Sequence, residues 1–187
     1  MKTFIISGKS GHGKDCFANI LKKKIEEQGK SCVIIHYADP VKWLLKECYN
    51  WDGNKDEHGR YLLQHLGTDT VRAHYPYFWT LFVSQFLDAV KEDFDYAIVP
   101  DARFINEIEV TKQYTGAKTV RVIRYNEDQS MYLNPALTLE QKLHPSEISL
   151  DDYEDFDYIV ENHEGKLDLL EEAALTVLED ADGLLHK

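Results

Sequence analysis

Gly8-Lys9-Ser10-Gly11-His12-Gly13-Lys14-Asp15 lies between a short apolar run, Thr3-Phe4-Ile5-Ile6-Ser7, and a stretch of helical periodicity that opens near Asp15. The octet fits the phosphate-binding pattern G-x-x-x-x-G-K and breaks it at the last position, where Asp15 replaces the usual Ser or Thr. Strand, glycine-rich loop and helix in this order are what the chemistry requires. Successive amides from Lys9 to Lys14 can wrap a phosphate, the helix N-terminus adds positive potential, and Lys14 can reach the outer phosphates. Gly8, Ser10, Gly11, His12, Gly13, Lys14 and Asp15 are therefore candidates for binding a nucleoside triphosphate. A glycine-rich turn without a ligand needs neither this spacing nor the lysine.

Outward from the loop, Ser31 to Tyr37 predicts a second strand ending at Ala38-Asp39-Pro40, with Pro40 placed to open a helix over about 40–49. Polar residues 50–59 predict a loop, 60–74 a helix, and 77–92 another that is either core or a homodimer interface. Tyr96 to Asp101 reads as a third strand, Ala102 to Thr115 as a helix stopped by Gly116, and Lys118 to Arg124 as a fourth strand. Residues 126–145 show weak periodicity and predict a mobile flap; a short fifth strand (157–161) and a closing helix (167–182) complete the chain. This alternation predicts an α/β fold of three layers, a parallel five-stranded sheet with helices on both faces. Ligands of such sheets bind at the C-terminal strand ends, where the loop, Asp39 and Asp101-Ala102-Arg103 all fall.

The 187 residues fit a single domain, and no linker or repeat divides them. Apolar residues make up 43% and charged residues 29%, the balance of an ordinary globular protein; no apolar run approaches a membrane span, and the N-terminus carries no signal-peptide pattern. Cys16, Cys32 and Cys48 form no paired motif and read as reduced thiols of a cytoplasmic protein. A net charge of −12 argues against general nucleic-acid binding, which needs a basic footprint. Yet Arg60, Arg72, Arg103, Arg121 and Arg124 all lie mid-chain, so a local anion site within an acidic protein is expected.

Several segments together resemble the deoxynucleoside monophosphate kinases of the bacteriophage type, a branch of the P-loop nucleoside monophosphate kinases. They are the loop ending in Gly13-Lys14-Asp15, Ala38-Asp39-Pro40-Val41-Lys42, the run Arg60 to Asp69 with Trp79, Tyr96 to Arg103, and Phe156 to Asn162. The resemblance implies phosphoryl transfer from ATP, with Mg²⁺, to a deoxynucleoside 5′-monophosphate. It also implies a substrate-binding region over about 40–93 and a lid over about 125–147. Arg60, Gln64, Gly67, Thr68 and Trp79 become candidates for the monophosphate site, with Gln64 reading a base edge and Trp79 or Tyr77 stacking on the base. Asn162 would lie near the adenine of ATP.

Phosphoryl transfer needs positioning and charge neutralisation. Lys14 is the first candidate, bridging the phosphates. Asp15 has two readings of equal weight: an Mg²⁺ ligand, direct or through water, or a carboxylate complementing the helix N-terminus. Asp101 either organises Mg²⁺ or an incoming phosphate, or caps the helix expected from Ala102. Asp39 either caps its own helix or faces the nucleotide sugar. Arg72, Arg103 and Arg124 are candidate phosphate clamps, with an ion pair as the competing reading for Arg72. His144-Pro145-Ser146-Glu147 reads as a lid or hinge element. A phosphomevalonate kinase shares the Gly-Lys-Asp loop, and a non-catalytic nucleotide-binding regulator is the reading from a different class. A GTPase is disfavoured, because Asn54-Lys55-Asp56-Glu57 ends on the wrong residue for guanine recognition.

Overall fold

A computed structural model describes residues 1–184. Among them five parallel strands form one sheet in the order β2-β3-β1-β4-β5. In chain order the elements are β1 (Lys2–Ser7), α1 (Lys14–Glu27), β2 (Cys32–Ile34), α2 (Asp39–Tyr49) and α3 (Glu57–Gln64). A π-helical segment (His65–Arg72) continues α3 and is followed by α4 (Phe78–Ala89), β3 (Tyr96–Ala102), α5 (Ile105–Thr115) and β4 (Lys118–Tyr125). The short α6 (Leu139–Leu143) and α7 (Pro145–Ile148) precede β5 (Tyr158–His163) and α8 (Leu167–Ala181).

Alternation along β1 sorts the core. Phe4 and Ile6 join Phe17, Leu21 and Ile25 of α1 and Leu170, Ala174 and Val177 of α8 on one face. Ile5 joins Val83 and Leu87 of α4 and Ile108 of α5 on the other. A third cluster, Val41, Leu45, Trp51 and Trp79, supports the α2–α4 region. α4 buries Trp79, Val83 and Leu87 while Phe78, Phe82 and Phe86 stay exposed on its outer side.

Four local differences from the sequence reading have physical causes. β2 stops at Ile34 because the His36 amide turns to Asp39 Oδ2, at 2.9 Å. α3 starts three residues early because Asp56 accepts the Gly59 amide at 2.7 Å, an N-cap inside the expected loop. The single helix expected over 60–74 widens into a π-helix at His65–Arg72; here the Trp79 indole N–H takes the Gly67 carbonyl at 2.9 Å and competes with the helical ladder for it. α5 begins at Ile105 rather than Ala102, because Glu107 Oε2 accepts the amides of Arg103 (2.6 Å) and Phe104 (3.0 Å). Pro100 lies within β3, next to β1, where the register slips between Ile5↔Val99 and Ser7↔Ala102, so its missing N–H falls at an irregularity.

Residues 126–138 double back on the end of β4: the Tyr132 amide donates to Arg124 O at 2.8 Å, and Met131 bridges antiparallel to Tyr125.

Candidate active site

The loop is braced from behind. Gly13 has φ +91°, and a Cβ there would lie 2.4 Å from Asn162 Nδ2, which donates to His12 O at 3.0 Å. A Cβ on Gly8 would meet Val122 O at 2.4 Å. His12 is buried, and burial holds its pKa below the usual value. Its Nε2 lies 3.0 Å from Tyr132 O, and its Nδ1 lies 3.3 Å from both the Arg124 amide and Val122 O, so backbone of β4 and of the segment after it holds the ring on both sides. Gly8, His12, Gly13 and Asn162 thus form the loop's frame rather than the cleft wall.

In front of the loop lies a cleft of about 380 Å³. Ser10, Gly11, Lys14 and Asp15 line it from the loop, and Arg60, Gln64, Gly67, Thr68, Arg72 and Trp79 from α3, the π-helical segment and α4. Asp101 and Arg103 line it from the end of β3, and Leu137, Gln141, Ser146 and Glu147 from the 125–147 segment. Six Lys and Arg side chains face four Asp and Glu there, a local excess of positive charge in a chain of net charge −12.

Lys14 is buried, its Nζ donating to Lys9 O at 3.0 Å. Burial, reinforced by the nearby Arg103 cation, pulls its ammonium down to about 7, against the pull of Glu147, Asp15 and Asp101. Asp101 does not cap α5. Its two oxygens accept the amides of Tyr37 (2.8 Å) and Ala38 (3.0 Å), welding the end of β3 to the entry of α2. Asp39 lies outside the cleft wall and pairs with neighbours that do line it, accepting from His36 Nδ1 (3.1 Å) and Lys42 Nζ (2.8 Å). His36 Nε2 is 3.6 Å from Asp15 Oδ1. Burial alone would lower the His36 pKa; Asp15 and Asp39 outweigh it and push it up to about 9. The His36 contact in turn holds the Asp15 carboxyl below its usual value.

Arg72 pairs with the buried Glu107 (2.5 Å) and lies 4.0 Å over the Phe104 ring. Burial pushes the Glu107 carboxyl upward, while Arg72 and the two capped amides hold its charge. Arg103 Nη1 donates to Glu147 Oε1 at 2.8 Å. Trp79, 2% exposed with its indole N–H on Gly67, is a wall of the cleft and offers no open face for stacking; Tyr77 is not part of the wall. Arg124 is also outside it, reaching Glu164 (3.1 Å) and Gly11 O (3.4 Å) and lying 4.3 Å over the Tyr132 ring.

Among the described residues no three His, Cys, Asp or Glu side chains converge as a metal cage. A magnesium ion held by substrate phosphates and waters needs no such cage, only one or two carboxylates. Asp15, with its side chain 73% exposed at the end of the loop, fits such a role; Asp101 is committed to backbone amides. His36, Glu107 and Glu147 are site residues that the sequence reading did not assign. Only Glu147 carried a signal, inside the conspicuous His144–Glu147 element.

Solved kinase structures share the fold at low identity. A sugar kinase from Janibacter sp. HTCC2649 matches with a TM-score of 0.54 and 15% identity over 98% of each chain. A gluconokinase from Sinorhizobium meliloti 1021 gives 0.53 and 12%, covering 99% of this chain and 96% of that one. A shikimate kinase from Bacteroides thetaiotaomicron gives 0.51 and 14%, covering 97% and 98%. In sequence, a deoxynucleotide monophosphate kinase of Escherichia phage RB69 is 39% identical over 67 residues, 35% of this chain and 27% of the relative. The match therefore spans about a quarter of that relative's length. The profile of the deoxynucleotide monophosphate kinases matches residues 53–173, which include the α3–α4 wall of the cleft, Asp101, Arg103 and Glu147. With more than half of its length matched by that profile, the chain belongs to the deoxynucleotide monophosphate kinase family.

Proposed function

We propose that the protein transfers the γ-phosphoryl group of ATP to a deoxynucleoside 5′-monophosphate, giving ADP and the deoxynucleoside diphosphate. The observation that carries this reading is the convergence of Lys14, Arg72 and Arg103 on one cleft whose lining is basic in an acidic chain. The loop amides and Lys14 hold the triphosphate, and the buried ammonium follows charge as it moves from the γ-phosphoryl to the β-phosphate. Arg103, at the end of β3 between loop and α7, neutralises the group in transit. Arg60 and Arg72 hold the acceptor phosphate, and Gln64 and Thr68 face the nucleoside. Mg²⁺ bound with ATP supplies further neutralisation of phosphate charge, with Asp15 as the residue that would hold it. Residues 125–147 form the lid, which excludes water from the cleft.

The test is ADP formation by the purified protein with Mg-ATP and a panel of deoxynucleoside monophosphates, nucleoside monophosphates and phosphomevalonate. Turnover with one or more deoxynucleoside monophosphates is expected. Turnover with phosphomevalonate alone, or ADP release that ignores every acceptor, would sink the assignment.

A further inference from the structure

The carboxylate of Glu147 reaches the phosphate-binding loop. Its Oε2 accepts the Ser10 amide at 3.0 Å and its Oε1 accepts Arg103 Nη1 at 2.8 Å, with the side chain only 11% exposed. Four residues on, Asp151 Oδ2 accepts Lys9 Nζ at 2.8 Å, and Arg121 Nη1 donates to the Leu150 carbonyl. Two consecutive loop residues are therefore gripped by two carboxylates of one short segment. A loop amide and an arginine converging on one carboxylate are the donor types that hold a phosphate oxygen. Glu147 also counts among the anions that favour the charged form of buried Lys14. One cradle cannot hold this carboxylate and a phosphate together, because like charges in contact repel strongly.

We propose that Glu147 is a built-in stand-in for phosphate. It satisfies the Ser10 amide and Arg103 as a phosphate oxygen would. An arriving outer phosphate displaces it, freeing Arg103 for the transferred group and loosening α7, while Asp151 keeps the segment tied to Lys9 beside the loop. This inference rests on the phosphate-binding reading of the cleft.

Inorganic tripolyphosphate, titrated by calorimetry into the unmodified protein and into Glu147→Gln, separates the two claims. Glutamine keeps the size and an acceptor oxygen but removes the charge, so binding about tenfold tighter than in the unmodified protein is expected. Hydrogen exchange of the unmodified protein is expected to quicken at residues 146–148 on saturation, a readout that does not depend on the variant folding. Equal or weaker binding by Glu147→Gln overturns the stand-in and leaves the cleft reading intact, as does unchanged exchange at 146–148 in the saturated protein. Failure of both proteins to bind tripolyphosphate overturns both.

Discussion

Lys14 shows how one residue carries two kinds of information. Its burial is unfavourable for an ammonium, and its Nζ rests on the Lys9 carbonyl, so an anion in the cleft is what would settle its charge. Lys14→Met keeps the stem and removes the charge. We expect kcat to fall by about a hundred- to a thousandfold, in the range of other lost electrostatic donors, with no fall in melting temperature. Near-normal turnover would refute the role given to Lys14. The conformation of the loop was legible in the sequence because its spacing is local and its glycines answer to backbone geometry. His36, Glu107 and Glu147 were not, because their roles depend on partners distant in sequence: Asp15 for His36, Arg72 for Glu107, Ser10 and Arg103 for Glu147. Asp101 lies on the cleft wall, but the capping alternative fails, since its partners Tyr37 and Ala38 belong to another strand's end.

Among the elements, strands and long helices followed from hydrophobic periodicity, and errors gathered where a side chain captures backbone. The π-helical segment is the clearest case. No periodicity in residues 60–74 announces that Trp79, twelve residues beyond Gly67, will take its carbonyl. Trp79→Phe removes that donor and shrinks a buried ring packed in the cluster of Val41, Leu45 and Trp51. A loss of about 1–3 kcal/mol in urea unfolding is expected. Because the segment forms the proposed acceptor wall, KM for the monophosphate should rise several-fold more than KM for ATP; equal rises would argue against that assignment. Residues 126–145 read from sequence as a mobile flap within a lid over 125–147. In the structure it is laced to the loop through Asn134 on the Ser10 hydroxyl (2.9 Å) and Glu147 on the Ser10 amide.

At the scale of the whole molecule, the parallel sheet and its two covered faces were legible from the alternation of strands and helices. The pins that fix strand ends were not. Asp157, just before β5, accepts the Thr119 amide and hydroxyl, each at 2.8 Å, and Lys118 Nζ at 2.8 Å, locking the start of β4 to the start of β5. Burial alone would raise its pKa; Lys118 and Thr119 outweigh it and hold the carboxyl below its usual value. A depressed folded-state pKa contributes stability above the unfolded value of about 3.9, lost as pH falls through the folded one. Asp157→Asn should therefore be destabilising by about 1–3 kcal/mol at neutral pH. The gap from the unmodified protein should shrink as unfolding is measured from about pH 5 down to about pH 3. A gap independent of pH would show that the carboxylate charge is not what holds the strands.

The central place of β1 also bears on the order in which the chain can assemble. Phe4 pairs with Ile98 on one side and Lys118 on the other, so β1 waits for two strands that follow it in the chain. Long-range parallel pairing of this kind is slow to form. On a ribosome the phosphate loop would emerge before Val122 and Asn162, so the groups that brace it from behind arrive only with β4 and β5.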